Sequence, residues 1–196
     1  AMFNHVQHVV TAVPVHYDLV LAGLDYGYAH PSALIIAGAA DGKLWVLWEL
    51  YQAGLTVPEL TAQVAALAKD YSIDRVYSDP AAAELIQALQ NANVPAIGAD
   101  NAVLPGISSV QQLLTGGLTG EARLFVHKGC HNLLEEIAVY SWMQSRDGYP
   151  TDKPHKRNDH ACDALRYVAR GYLHDFAEGE AARFGAVNHP PEYRIF

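Results

Sequence analysis

Three apolar blocks dominate the first quarter of the chain. Asp18-Leu19-Val20-Leu21-Ala22-Gly23-Leu24-Asp25 is apolar between two acids, Ser32 to Ala40 is apolar almost throughout, and Leu44 to Tyr51 is interrupted only by Glu49. Blocks of this length, rich in branched and aromatic residues, read as strands. Asp41-Gly42 between the second and third is a two-residue hairpin signal, so the chain is expected to open with an antiparallel three-stranded meander. The period then lengthens. Thr56-Val57-Pro58-Glu59 has the form of a capping box with Pro in the first turn, and Leu60, Val64, Leu67 and Ala68 fall on one helical face up to about Tyr71.

Strand and helix alternate from there. Arg75 to Ser78 is a short strand broken by Asp79-Pro80, Ala81 to Asn93 a helix, and Ala96 to Ala99 a strand. A helix from about Leu104 to Leu114 ends at Gly116-Gly117, Arg123 to His127 is another strand, and Leu133 to Met143 a helix. A polar, Pro-containing loop over 145–157 leads to a last helix that runs to about Leu173. The order β-β-β-α-β-α-β-α-β-α-α predicts an α/β fold. Its mixed sheet would join an antiparallel meander to parallel strands, with helices on both faces. Residues 1–17 show no clear period and read as a leader or interdomain linker, 18–174 as one domain, and 175–196 as a C-terminal tail.

The last helix carries the densest chemistry, in Asn158-Asp159-His160-Ala161-Cys162-Asp163-Ala164-Leu165-Arg166-Tyr167. Asn158 or Asp159 can cap its N-terminus, while Ala161, Ala164, Leu165, Val168 and Ala169 make an apolar face. Asp159, His160 and Asp163 project from one side of the first turns, where the helix dipole tolerates negative charge. Such a cluster either holds a divalent cation or is a cap beside two solvated residues. Two further acids end strands: Asp25 the first and Asp79 the fourth. If those strands are neighbours and the last helix crosses them, Asp25, Asp79 and Asp163 converge at the carboxyl end of a parallel sheet, where ligands gather. Hard oxygen donors of this kind suit Mg²⁺ or Mn²⁺, and two such ions can drive phosphodiester hydrolysis. Each acid also has a plainer reading: Asp25 as a turn residue, Asp79 as a helix N-cap, and Glu49 as a solvated edge residue rather than a ligand. His30, His127, His131 and His155 read as surface or loop residues.

Composition narrows the class. With 51% apolar and 17% charged residues, most of the chain should fold. No apolar run is long enough to span a membrane, and the start lacks the basic segment of a secretion signal. Two cysteines, Cys130 and Cys162, make neither a disulfide framework nor a zinc site, so a reducing compartment is expected. The net charge of −8 argues against a general polyanion binder, but eight of the 13 Lys and Arg residues lie between Arg123 and Arg170. That third of the chain is the expected polyanion-facing side, with Lys153, Lys156, Arg157 and Arg166 as candidate phosphate contacts.

Gly23-Leu24-Asp25-Tyr26-Gly27, Tyr77-Ser78-Asp79-Pro80-Ala81 and Asn158 to Tyr167, in that order and spacing, resemble the C-terminal nuclease domain of the phage large terminase subunit. The likeness covers roughly residues 18–173 and includes the stretch from Glu136 to Trp142. Asp100 to Ile107 resembles a segment where many relatives carry a lysine; this chain has Asn101 there, so no lysine role carries over. The resemblance implies an RNase H-like fold and a metal-dependent endonuclease that cuts concatemeric double-stranded viral DNA in the host cell cytoplasm. It also implies a two-ion site built on Asp25, Asp79 and Asp163, with Asp159 and His160 as alternative third ligands. The implied partners are DNA, a packaging ATPase domain, the portal and the small terminase subunit. A Gly-x-x-x-x-Gly-Lys-Ser/Thr phosphate loop is absent from the sequence, so the motor function lies outside it. A junction resolvase, an RNase H acting on RNA–DNA hybrids and a non-catalytic docking module are the competing expectations.

Overall fold

The meander forms as its turn and alternation dictate. In the computed structural model, which describes residues 2–117, 120–146 and 159–175, β2 (Leu19–Asp25), β3 (Ser32–Ala40) and β4 (Lys43–Gln52) are consecutive antiparallel neighbours. Asp41 and Gly42 both take positive φ, 51° and 70°, as a tight turn matched to the strand twist requires. The β3–β4 register slips once, between Ile36 and Ala37. Three parallel strands extend this unit, β5 (Arg75–Ser78) beside β2, β6 (Ala96–Gly98) beside β5, and β7 (Leu124–His127) beside β4.

One strand had no sequence signal. Val9–Val10 forms β1, parallel to β7, with Val9 opposite Val126. Just before it a single helical turn, α1 (His5–His8), is capped by Asn4, and Phe3 and His8 are buried. The segment expected to be a leader or linker thus adds an edge to the sheet, through two residues too few to show a period. The full order is β1-β7-β4-β3-β2-β5-β6, with β3 alone reversed. This is the mixed sheet of an RNase H-like α/β domain.

Helices cover both faces, as expected. One face packs α2 (Val57–Asp70) and α3 (Ala83–Asn91) through Leu60, Val64, Leu85 and Leu89 onto Val20, Ala22 and Leu24. The other packs α4 (Val103–Thr115), α5 (His131–Arg146) and α6 (His160–Asp175) onto Leu19 and Leu21 of the same strand. Strand β2 is therefore buried on both sides, and its alternation sends Gly23 and Asp25 to the α6 face.

How α6 sits on the sheet is set by two glycines. A Cβ on Gly23 would stand 1.9 Å from the Ala164 carbonyl oxygen, so the helix backbone lies directly on β2 there. Further along, a Cβ on Gly171 would enter the Tyr77 ring at 2.2 Å, so α6 rests there on the far end of a β5 side chain. Ten of the sixteen residues of α6 are buried, among them Ala161, Ala164, Leu165 and Val168. Its far end is tied down by Asp175, whose carboxylate accepts from the Tyr77 hydroxyl at 2.8 Å and from Arg75 at 3.1 Å. Both cysteines are free and buried.

Candidate active site

Asp25 is the last residue of β2, and Asp79 follows the last residue of the adjacent parallel strand β5. The ladder runs on to the acids themselves: the Asp79 amide donates to the Leu24 carbonyl at 3.2 Å. Directly over them, the first turn of α6 brings His160 onto Asp25, with Nδ1 2.8 Å from Oδ2. Asp163, one turn on, is held by its own helix, where Arg166 Nη2 and Nε donate to Oδ1 at 2.7 and 3.1 Å. The two strands expected to be neighbours are neighbours, and the last helix crosses them.

The electrostatics report the same crowding. Burial raises the pKa of the Asp25 carboxyl; the His160 hydrogen bond opposes that, and the charges of Asp163 and Asp79 add to it. Burial likewise raises Asp163, against the pull of Arg166 and with the push of Asp159. Below the acids, the Tyr167 hydroxyl is buried and feels Asp79, Asp25 and Asp163 together, which holds its pKa well above the ordinary value. Partly exposed carboxylates so close in a dry setting are a ready receptor for positive charge.

The plainer reading of Asp79, as the N-cap of the next helix, does not hold. Its Oδ1 accepts from the Ala81 amide at 3.0 Å in a local turn, but α3 begins at Ala83 with Ala82 in the cap position, so Asp79 does not cap that helix. The same oxygen lies 3.4 Å from the Asn101 amide nitrogen, and this places the β6–α4 connection at the site's rim. Next to Asn101, Asp100 accepts from Arg170 of α6 at 3.0 Å. Asp159 immediately precedes α6, and its carbonyl accepts the Asp163 amide at 2.7 Å.

Three residue assignments change, and one of them is His127, which was expected at the surface or in a loop but ends β7 and is buried. Arg166, expected at the phosphate-facing surface, is 7% exposed. Its side chain packs against Gly106 of α4, where a Cβ would approach it to 3.0 Å, and its fork is committed to Asp163. Three residues separate it from Asp163 on one helix, and that spacing favours the pair over an outward reach. Glu49 is neither ligand nor solvated edge: it accepts the Asn132 and Leu133 amides at 2.8 and 2.9 Å and so closes the N-terminus of α5. Lys153, Lys156 and Arg157 lie outside the described residues.

Sequence reasoning also passed over two neighbours. His30, on the exposed loop after β2, stacks on His160 with ring centroids 5.6 Å apart. That loop is closed by Ser32, whose hydroxyl donates to the Gly27 carbonyl at 2.8 Å. Glu136 of α5 is buried and accepts the Cys162 amide of α6 at 2.9 Å. Neither had a local signal, since each acquires its role only through a partner distant in the chain.

No family model matches the chain. The large terminase subunit of Escherichia phage T5, however, is 31% identical over 161 residues, which cover 77% of this chain and 36% of that protein. The chain is a homologue of phage large terminase subunits. Among solved structures, the large terminase of a thermophilic bacteriophage superposes with a TM-score of 0.75 at 28% identity, over 88% of this chain and 44% of that one. This terminase homologue therefore spans less than half the length of either relative. The P22 large terminase nuclease domain shares its fold from end to end, with a TM-score of 0.66 over 93% of this chain and 95% of that one at 20% identity. The large terminase nuclease domain of bacteriophage SPP1, solved with bound Mn, also shares the fold, at a TM-score of 0.61 and 19% identity over 82% of this chain and 88% of that one.

The donor set of the homologue fits a hard divalent ion in kind, being carboxylates backed by one imidazole. As the side chains stand, no three of His, Cys, Asp and Glu among the described residues are gathered closely enough to enclose an ion. Arg166 occupies Asp163 and His160 occupies Asp25, so each would exchange its present partner on binding metal.

Proposed function

We propose that this chain is the metal-dependent endonuclease domain of a DNA-packaging terminase, hydrolysing phosphodiester bonds of concatemeric double-stranded DNA. The observation that carries the reading is the meeting of three acids from three elements. Asp25 and Asp79 lie on neighbouring parallel strands and Asp163 on the helix across them, close enough that the Asp25 carboxyl feels both other charges. Arg166 on Asp163 and His160 on Asp25 are the groups that hold two of these acids in place. The nuclease-domain fold shared with the P22 and SPP1 proteins, and the Mn in the latter, support the same reading.

Asp25, Asp79 and Asp163 would hold two Mg²⁺ or Mn²⁺ ions, with His160 or Asp159 completing the third position. When bound, such ions lower the pKa of water and stabilise the departing 3′ oxygen. The chain's own part is to fix the carboxylates. The β2–β5 ladder spaces Asp25 and Asp79, the Gly23 contact seats α6, and His160 orients Asp25 through its 2.8 Å hydrogen bond. The basic residues Lys153, Lys156 and Arg157 remain proposed contacts to the flanking backbone, which would position DNA without reading its sequence. The packaging ATPase, portal and small subunit are the proposed partners.

The test is plasmid cleavage in Mg²⁺, Mn²⁺ and EDTA, with wild type beside Asp25→Asn and Asp163→Asn. Metal-dependent cutting, lowered at least about a hundredfold in both variants, is expected from the loss of a charged ligand. Cutting that survives in Asp163→Asn alone moves the third ligand to Asp159 or His160. Preference for a four-way junction or an RNA–DNA hybrid over linear duplex would reassign the substrate. Absence of both cutting and metal binding would sink the nuclease reading.

A further inference from the structure

The first turn of α6 holds His160 and Asp163, and one of its amides is taken up from outside the helix. A helix N-terminus leaves several amides without intrahelical partners, and a buried one needs acceptors. Here the acceptor comes from another helix. Glu136 Oε2 takes the Cys162 amide at 2.9 Å, and the neighbouring Ala161 amide lies near enough to favour the charged form of this carboxylate. Those two residues lie between His160 and Asp163. Glu136 itself is 8% exposed, and its second oxygen accepts from the Tyr51 hydroxyl of β4 at 2.8 Å.

The carboxylate is in turn held from the sheet. Two residues before Tyr51 on β4, Glu49 accepts the Asn132 amide at 2.8 Å, the Asn132 side chain at 2.8 Å and the Leu133 amide at 2.9 Å. Strand β4 thus grips the start of α5 with one carboxylate, and α5 grips the start of α6 with another. Burying a carboxylate is costly, and the Cys162 amide and Tyr51 hydroxyl aimed at it are the compensation.

We propose that Glu136 is a positioning residue for the metal site: through the Ala161 and Cys162 amides it fixes the turn that presents His160 and Asp163 to Asp25. It touches neither metal nor DNA. This rests on the reading of Asp25, Asp79 and Asp163 as metal ligands. Metal sites depend on outer partners of this kind, whose loss typically lowers affinity about 10- to 100-fold.

Three variants test it, each beside wild type: Glu136→Gln, Tyr51→Phe, which removes the hydroxyl donor to Glu136, and Thr56→Ala, which weakens the remote cap of α2. Mn²⁺ affinity is measured by calorimetry. In the metal-free protein, amide exchange is followed at Ala161 and Cys162 and the ring-nitrogen resonances at His160. Glu136→Gln is expected to weaken Mn²⁺ binding about tenfold or more, speed exchange at both amides and shift the His160 nitrogens. Tyr51→Phe should move the same readouts in the same direction by a smaller factor, about threefold in affinity. Thr56→Ala should lower the melting temperature and leave all three unchanged. The proposal is overturned if Glu136→Gln leaves the two amides and His160 as they are, or if Thr56→Ala weakens Mn²⁺ binding as much. Should Glu136→Gln not fold, Tyr51→Phe alone decides. If wild type binds no Mn²⁺, the nuclease reading fails, and the amide and imidazole readouts still show whether Glu136 places the turn.

Discussion

Helices α2 and α6 are of similar length, fourteen and sixteen residues, and are built on opposite principles. In α2 only Leu60 and Val64 are buried, and the N-terminus is sealed by its own Thr56–Glu59 box, with Glu59 accepting the Thr56 amide at 2.9 Å. Helix α6 is buried along most of its length, rests on β2 with no room for one methyl group, and is sealed at its start by α5. A surface helix can carry its instructions locally. A helix that bears part of a site takes its position from four other elements, and its first turn cannot shift without them.

Gly23→Ala presses hardest on this contrast. The added methyl would fall on the Ala164 carbonyl, backbone against backbone, so neither partner can rotate away. The cost should exceed the roughly 1–3 kcal/mol of ordinary overpacking, and the variant is expected to lose cooperative unfolding or fail to accumulate as soluble protein. Circular dichroism and a thermal melt check it; a melt like that of wild type would mean α6 sits further from β2 than described.

Thr56→Ala probes the other helix. Losing a cap costs about 1 kcal/mol, which in a domain of this size lowers the melting temperature by roughly 2–4 °C. Cleavage per folded molecule should not change. A drop in specific activity would show that α2 is coupled to the site, and the contrast would fail.

The smallest effect has the opposite sign. Burial and the nearby acids raise the pKa of Asp25 above its ordinary 3.8, so the folded state favours its protonated form. The stability this group contributes is present at low pH and is lost as pH rises through the raised value. Asn imitates the protonated acid at every pH. In EDTA, Asp25→Asn should therefore melt up to a few degrees above wild type at pH 7–8, with the gap closing toward pH 4. A variant less stable than wild type at pH 7–8 would mean that the His160 contact outweighs the burial of charge. The same variant should be inactive, so stability and function would move in opposite directions at one residue.

The contrast between the helices also marks where the sequence was readable. Thr56, Glu59 and the Asp41-Gly42 turn act through neighbours in the chain, and they appear in the structure as expected. The positions of Asp25 and Asp79 were legible because each falls where a strand ends, and that of Asp163 because its helix begins with a run of polar residues. Glu136 and Glu49 were not, because a glutamate inside or opposite a helix has no local mark of the amides it will meet. Arg166 was read from its charge, whereas its three-residue spacing from Asp163 decided its partner. Nor did β1 announce itself, since two valines acquire a strand's identity only from β7.

The bond from the Asp79 amide to the Leu24 carbonyl has one more implication. It makes the two strand-end acids successive rungs of a ladder whose pitch is the spacing between hydrogen-bonded strands, about 4.8 Å in any sheet. That length belongs to the peptide backbone and is indifferent to side chains. Substitutions around the site can retune affinity, reach or metal preference, but the gauge between Asp25 and Asp79 stays the same until the sheet itself comes apart.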